Sequence, residues 1–311
     1  MARESDLAMS APRRFISTHT RETLANYAYL LPAAICLGGT VLFPILKAIY
    51  MSLFQNVLSR PQDYHFIGLG NYLRLIHDPT FWLTLKNSLV WVACSVSTQF
   101  VLGFLGALLL NAGFKGRTFL RTLNLLPWII PGVVVGLVWE YLYQPNYGPI
   151  NDILRRAGLL RVPIAWLSEL NTAMPAVIFA NIWRGIPFFT IMILAGLQAI
   201  PDKLYEAATV DGASVTQRFW HVTLPLLRPI IIVATATRII WTFNYADLIF
   251  VMTGGGPANA TQITSSYTLL SAYTDLDFGY AATLSVVLLV IMLTFTAFYL
   301  KITKGVESVS E

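Results

Sequence analysis

The chain has 311 residues, of which 56% are apolar and only 12% charged, and its mean hydropathy is +0.61. Soluble domains carry about a quarter charged residues, so the composition excludes an ordinary soluble protein and points to a multi-span membrane protein. The formal net charge of +5 follows the loops between apolar runs, which reports topology and contact with anionic lipid headgroups and not a nucleic-acid surface.

A spanning helix needs about 20 predominantly apolar residues. Six segments qualify: 26–53, 87–111, 120–143, 172–199, 225–253 and 279–302. The expected organisation is an all-α membrane protein with an N-terminal tail at 1–25, a six-helix domain at 26–302 and a C-terminal tail at 303–311. The apolar run after the first tail is too long for a signal peptide and no small-residue cleavage site follows it, so it reads as a retained span. Six spans put both termini on one side. With that side inside, the inner segments hold Arg3, Arg13, Arg14, Arg21, Lys115, Arg117, Arg121, Lys203, Arg218, Arg228, Lys301 and Lys304, twelve in all. The outer segments hold six, namely Arg60, Arg74, Lys86, Arg155, Arg156 and Arg161. The excess places both termini in the cytoplasm.

Cys36 and Cys94 fall inside the first two spans and are expected as small buried hydrophobes, with no disulfide framework. Between those spans lies Phe66-Ile67-Gly68-Leu69-Gly70-Asn71-Tyr72, whose glycines lack the strand and spacing of a dinucleotide fingerprint. The third span carries Pro127 and Pro131, which free backbone carbonyls that lipid cannot satisfy. It is followed by Asn146-Tyr147-Gly148-Pro149-Ile150-Asn151 and an amphipathic loop reaching Leu170, suited to the outer interface.

The fourth span contains Asn181-Ile182-Trp183-Arg184-Gly185-Ile186-Pro187-Phe188. An unpaired mid-membrane arginine costs at least ~2.5–3.5 kcal/mol, so Arg184 must face a polar pathway or tether the backbone opened by Pro187. The 202–222 stretch is polar and sits between two apolar segments. Asp202 is the expected cap of a short helix, Asp211-Gly212 its stop, Ser214 and Gln217 a capping box that restarts the chain, and Pro225 the next boundary. Small side chains at Ala207, Ala208, Gly212 and Ala213 would let another surface approach the turn closely.

The fifth span reads Arg238-Ile239-Ile240-Trp241-Thr242-Phe243-Asn244-Tyr245-Ala246-Asp247. On a continuous helix Arg238, Trp241 and Tyr245 share one face, with Asn244 and Asp247 on the adjacent strip. Arg238 and Asp247 fall on opposite sides and cannot simply neutralise each other. Aromatic faces with amide and carboxylate groups suit a sugar; the alternative is polar glue between helices. The residues expected to line a pathway are Arg184, Trp241, Asn244, Tyr245 and Asp247. The chain then continues through Thr253-Gly254-Gly255-Gly256-Pro257 and opens its last span with Phe278-Gly279-Tyr280.

Glu206-Ala207-Ala208, three residues, Gly212, nine residues and Val222-x-Leu224-Pro225 resembles the EAA motif of ABC importer permeases, with valine where isoleucine is usual. The 66–72, 146–151, 183–188, 253–257 and 278–280 phrases are similar to stretches of the sugar-type branch, which includes the maltose and glycerol-phosphate permease subunits. The resemblance implies a type I importer permease fold of six transmembrane helices in the bacterial inner membrane. It implies ATPase coupling through 206–225, with Glu206 and Asp211 making charged contacts and Ala207, Ala208 and Gly212 allowing a close fit. The partners it implies are a second, distinct permease, a dimer of cytoplasmic ABC ATPase and an external solute-binding protein. Any ATP would be bound by the ATPase, and this chain would hold no cofactor and no nucleic acid.

The sequence offers no Gly-x-x-x-x-Gly-Lys-Ser/Thr phosphate cradle, no nucleophile elbow and no metal-ligand spacing around His19, His65, His77 or His221, so no catalytic or metal residues are expected. Two rivals remain. A gradient-driven carrier or channel would need an internal repeat and no docking loop; a membrane-embedded enzyme would have only Glu140 and Asp247 to work with. The solute is not named by the sequence: a mono- or disaccharide, a polyol and glycerol phosphate all fit the branch, and the two intramembrane arginines, Arg184 and Arg238, leave room for an anionic one.

Overall fold

The apolar runs become helices because a backbone without water must bond to itself. The computed structural model describes residues 29–307; the expected tail 1–25 and residues 308–311 lie outside them. The chain divides into two units, residues 1–50 and 51–311. The first unit contributes most of α1 (Tyr29–Ser52), of mean hydropathy 2.0. A π turn interrupts α1 at Gly38–Leu42, where two adjacent glycines hold an α ladder weakly.

The second unit opens with a short antiparallel pair, β1 (Phe54–Gln55) and β2 (His65–Phe66), in the register Phe54–Phe66. It continues through α2 (Gly70–Ile76) into α3 (Pro79–Asn111). Asp78 caps α3 by accepting the Thr80 N–H at 2.8 Å. At 33 residues α3 is about 50 Å long, more than the ~30 Å hydrocarbon core needs. The third span is two pieces, α4 (Arg117–Ile129) and α5 (Gly132–Leu142), bent by 95°. Pro131 sets that bend: it cannot continue the ladder and it forces Ile130 into extended backbone. Then come α6 (Pro149–Arg156), α7 (Ala173–Ala199), α8 (Asp202–Val210), α9 (Val215–Arg218), α10 (Leu224–Phe243), α11 (Asp247–Met252), α12 (Thr264–Tyr273) and α13 (Phe278–Glu307). Among the described residues, five runs have the length and apolarity of a span, and the bent pair makes a sixth.

Several details differ from the sequence expectation. Asp202 is the first residue of α8, and Pro201, which has no side-chain bond to give, takes the cap position. Pro225 ends nothing: the helical run continues from α9 through a π turn at Phe219–Thr223 into α10. The wider turn makes room for a ring that would clash with the carbonyl four residues back in a tight α ladder. The fifth span breaks at Asn244–Ala246 and resumes at Asp247. Cys36 and Cys94 are exposed and free, not buried; a thiol is apolar enough for an outward-facing helix position in a membrane.

The alternative to a core here is lipid as apolar as the core itself, so close packing and hydrogen bonds, not water exclusion, hold the helices together. α3 and α7 form the central pair and run in the same direction, since Gln99 bonds Asn181 and Gly103 meets Phe189 further along. Gly103 lies so near the Ile186 carbonyl and Phe189 that a side chain there would push α7 away. The Trp91 Nε1–H donates to the Thr242 carbonyl at 2.9 Å and ties α3 to the last turn of α10.

The loop motifs turn out to be clamps. The buried Asn71 amide donates to the carbonyls of Ser52 and Phe54 at 3.0 and 2.9 Å, and Gly279 lies directly against the Phe54 carbonyl. Asn151 accepts from Trp166 Nε1 at 2.9 Å and donates to Ile164 O at 2.9 Å. Asp78 Oδ2 accepts the hydroxyls of Tyr267 at 2.8 Å and Tyr280 at 2.5 Å. Beside it the Arg74 guanidinium covers the Tyr280 ring at 4.1 Å and pairs with Asp277 at 2.6 Å. Burial opposes ionisation of Asp78, but the two phenols and the Thr80 and Phe81 backbone together hold its carboxyl below the ordinary value of 3.8.

Candidate functional site

The two broken spans meet. α5 packs on α11, with Gly136 against Val251, and the non-helical 244–246 segment places Tyr245 beside the α4–α5 bend. Gly132, the first residue after Pro131, leaves space that the Tyr245 hydroxyl fills; a methyl group at 132 would collide with it. Irregular backbone at membrane depth is tolerated only against protein or a polar cavity. Such a cavity is present: about 340 Å³, lined by Trp128, Asn181, Arg184, Arg238, Trp241, Thr242, Asn244 and Tyr245 among others.

Two guanidinium groups face this space. Arg184 lies with its Cζ 4.7 Å over the Tyr245 ring, a cation–π contact of about 2 kcal/mol when desolvated. Arg238, only 4% exposed, donates from Nε to Gln99 Oε1 at 2.7 Å, and Gln99 Nε2 in turn donates to the Asn181 carbonyl at 2.8 Å. Gly185 makes that chain possible, because any side chain there would occupy the positions of the Gln99 amide and Arg238. Trp128, Phe188 and Trp241 form an aromatic wall, with Phe188 6.1 Å from Trp128 and 5.3 Å from Trp241. Around the cavity, Asn181 Oδ1 and Nδ2, Arg184 Nε, Thr242 Oγ1 and Tyr245 Oη are buried without a hydrogen-bond partner. Each such atom costs about 1–3 kcal/mol, so their concentration in one place marks a site where something else supplies the partner.

Of the five expected lining residues, Arg184, Trp241, Asn244 and Tyr245 border this cavity, and Asp247 does not. Asp247 lines a neighbouring crevice of about 650 Å³ with Asn244, Ser265, Thr268 and Ser285. Asp247 starts α11 and stays with Asn244, its neighbour on the same strip, but in that crevice and not in the cavity of Arg184 and Arg238. Nor does Arg184 tether the Pro187 backbone; it rests on Tyr245 instead. Gln99, Thr242 and Trp128 escaped the sequence reading. A lone glutamine in a long uncharged span was the available signal for Gln99.

At the junction of α7 and α10 the 202–218 element projects from the bundle. The helix α8 ends in a Schellman motif, with Gly212 at φ +78° and bonds from Gly212 N–H to Thr209 O at 3.0 Å and from Ala213 N–H to Ala208 O at 2.9 Å. The Ser214–Gln217 capping box forms as expected. Staples hold the bend: Tyr205 Oη and Thr223 Oγ1 are 2.9 Å apart, and Arg218 donates to Thr209 Oγ1 at 2.9 Å. Glu206, Ala207, Asp211 and Gly212 are exposed, Ala208 is half-buried, and a side chain at Gly212 would meet open space. Val210, Val215 and Trp220 are 88%, 73% and 58% exposed beside them, an apolar display of the kind that a protein partner or the membrane surface covers.

Residues 99–308 match the family described as binding-protein-dependent transport system inner membrane components. The chain belongs to that family. The permease is 39% identical to the trehalose/maltose transport system permease protein MalF of Thermococcus litoralis, over 91% of this chain and 94% of the relative. It is 38% identical to the sulfoquinovosyl glycerol transport system permease protein SmoG of Agrobacterium fabrum, over 88% of each chain. Its fold is similar to a chain of a bacterial ABC transporter involved in the import of the acidic polysaccharide alginate. That match has a TM-score of 0.79 at 25% identity and covers 92% of the permease and 97% of that chain. The chain is therefore a transmembrane permease subunit of an ABC importer, an inner-membrane component with the importer permease fold.

Proposed function

We propose that the permease carries a sugar or sugar-like solute through the Arg184–Tyr245 cavity and couples to a cytoplasmic ATPase dimer through the 202–222 element. The observation that carries this reading is the meeting of two broken spans on one polar, aromatic-walled cavity, of the size that small-ligand sites occupy. Aromatic faces suit sugar C–H surfaces, and amide, hydroxyl and guanidinium groups suit sugar hydroxyls. The relatives named for trehalose and maltose and for sulfoquinovosyl glycerol support the solute class.

In this reading the chain itself is not catalytic. ATP binds the partner ATPase, whose closure moves the stapled α8–α9 unit and, through α7 and α10, rocks the spans between outward and inward access. Glu206 and Asp211 make charged contacts with the ATPase, while Ala207, Ala208 and Gly212 let the surfaces close. A second, distinct permease completes the pathway, an external binding protein delivers the solute, and both termini lie in the cytoplasm.

The test is a mild-detergent co-purification from cells expressing the chain with its neighbouring genes, followed by sugar-stimulated ATP hydrolysis. Recovery of an ATPase and a second permease, with stimulation lost in Gly212→Leu while the chain still inserts, is the expected result. A lone chain, or full uptake in Gly212→Leu, would overturn the coupling assignment.

A further inference from the structure

The cavity holds more positive charge than its protein walls balance. Arg184 and Arg238 both line it, and among the described residues neither has a carboxylate oxygen within ion-pair distance: the ion pairs are Arg74–Asp277, Arg155–Asp152 and Arg156–Asp152. Asp247, the acid closest to Arg238 in sequence, lines the adjoining crevice; its charge is felt at Tyr245, but it pairs with neither arginine. Glu140 lines a different cavity beside Gln144 and Thr253. What the protein provides is neutral: the Gln99 amide oxygen for Arg238 and the Tyr245 ring for Arg184. A guanidinium stays charged in proteins, and two of them in one low-dielectric space repel each other. An amide oxygen and a ring face ease the desolvation of each group without cancelling either charge.

A neutral sugar would leave that charge in place. A carboxylate, sulfonate or phosphate ester would neutralise it, because guanidinium–oxyanion hydrogen bonds are about twice as strong as neutral ones and are often bidentate. The remainder of the cavity lining, which combines the Trp128 and Trp241 rings with the Asn181 and Thr242 polar groups, suits a sugar ring attached to such a group. We infer that the solute of this permease is an anionic saccharide, its acidic group held between Arg184 and Arg238. The inference rests on the cavity being the solute pathway.

The experiment uses the complete importer in proteoliposomes, with ATP inside and binding protein outside, and measures uptake of matched neutral and acidic probes. Suitable pairs are glucose with glucuronate, glucose with glucose 6-sulfonate, and trehalose with trehalose 6-phosphate. At least one acidic probe is expected to enter about tenfold or more faster than its neutral partner, an increment of ~1.4 kcal/mol. Arg184→Gln should remove that preference and Arg184→Lys should restore part of it, each checked for co-purification with the other subunits. Neutral probes entering as fast as acidic ones would overturn the anion assignment and leave the sugar reading standing. A preference for acidic probes that survives both Arg184→Gln and Arg238→Gln would also overturn it, since the discrimination would then lie in the binding protein. Loss of assembly in Arg184→Gln, with no acidic preference in the wild type, would assign Arg184 to a carboxylate of the partner permease. Transport of no saccharide of either kind would overturn the solute reading itself, and this inference with it.

Discussion

The Arg184 guanidinium lies 4.7 Å over the Tyr245 ring, although the two residues sit on different spans with the whole projecting element between them in sequence. The contact depends on a defect. α10 stops at Phe243 and α11 starts at Asp247, which releases Tyr245 from helical register, and Gly132 leaves room for its hydroxyl. Two interruptions in two helices thus build one cation–π pair at membrane depth.

Tyr245→Phe and Tyr245→Leu should therefore behave differently. Phenylalanine keeps the ring beneath Arg184 and removes a buried hydroxyl that has no partner, so thermal unfolding in detergent should be unchanged or slightly later. Leucine removes the ring and should lower stability by about 2 kcal/mol. Equal stability of the two variants would mean that the ring is not what accommodates Arg184.

Gly185→Ala should disrupt the Arg238–Gln99–Asn181 chain, because the new methyl would sit where Gln99 and Arg238 now lie. Overpacking of this kind costs about 1–3 kcal/mol, and solute uptake should fall with it. Gly113→Ala is the matched control, since nothing lies within 4 Å of that position. A Gly185→Ala protein as stable and active as the control would remove the close-packed chain from the account of the site.

Much of this architecture was legible in the sequence, because lipid makes the rules strict. Length and apolarity mark all six spans, proline marks the α4–α5 bend, and the Asp211-Gly212 and Ser214–Gln217 signals set the turn of the projecting element. Arg184, Trp241, Asn244 and Tyr245 were legible because polar and aromatic residues in a span are conspicuous. The break at 244–246 was not, since neither proline nor glycine announces it; Asp247 lies with Asn244 as the register implied, but in the neighbouring crevice and not in the cavity of Arg184, Trp241 and Tyr245. Gln99 and Thr242 matter through partners 82 and 151 residues away, Asn181 and Trp91, and a single sequence carries no sign of such pairing. The loop motifs showed their place but not their role: Asn71 and Asn151 are clamps on carbonyls and an indole, which only the fold reveals.

Asp78, the cap of α3, fastens that helix to α12 and α13 through Tyr267 and Tyr280. Asp78→Asn replaces a charged acceptor by a neutral one and should destabilise the protein by about 1–2 kcal/mol. The pH dependence has a definite sign. The Asp78 carboxyl is held below its ordinary value of 3.8, so its contribution is complete above that pH and is lost as pH falls through the lower, folded-state value. Wild type and Asp78→Asn should accordingly differ in unfolding temperature above the ordinary carboxyl value of 3.8 and converge as pH falls below it. A difference that stays constant over this range would assign the effect to packing and not to the charge.

The last prediction concerns transmission. Tyr205 Oη and Thr223 Oγ1 are 2.9 Å apart and join α8 to the π turn that feeds α10, so that in the proposed coupling this bond would carry motion of the projecting element to the span holding Arg238. Tyr205→Phe removes a hydrogen bond worth about 0.5–1.5 kcal/mol while keeping the ring among its neighbours. ATPase should still co-purify, because the exposed Glu206, Asp211 and Gly212 surface is untouched. Solute moved per ATP hydrolysed should fall, and Thr223→Val should lower it no further in the Tyr205→Phe background, since both remove one link. An unchanged ratio in both single variants would mean that the staple shapes the element without transmitting its motion. Transmission would then run through the end of α7 instead, where Ile200 is buried in the core.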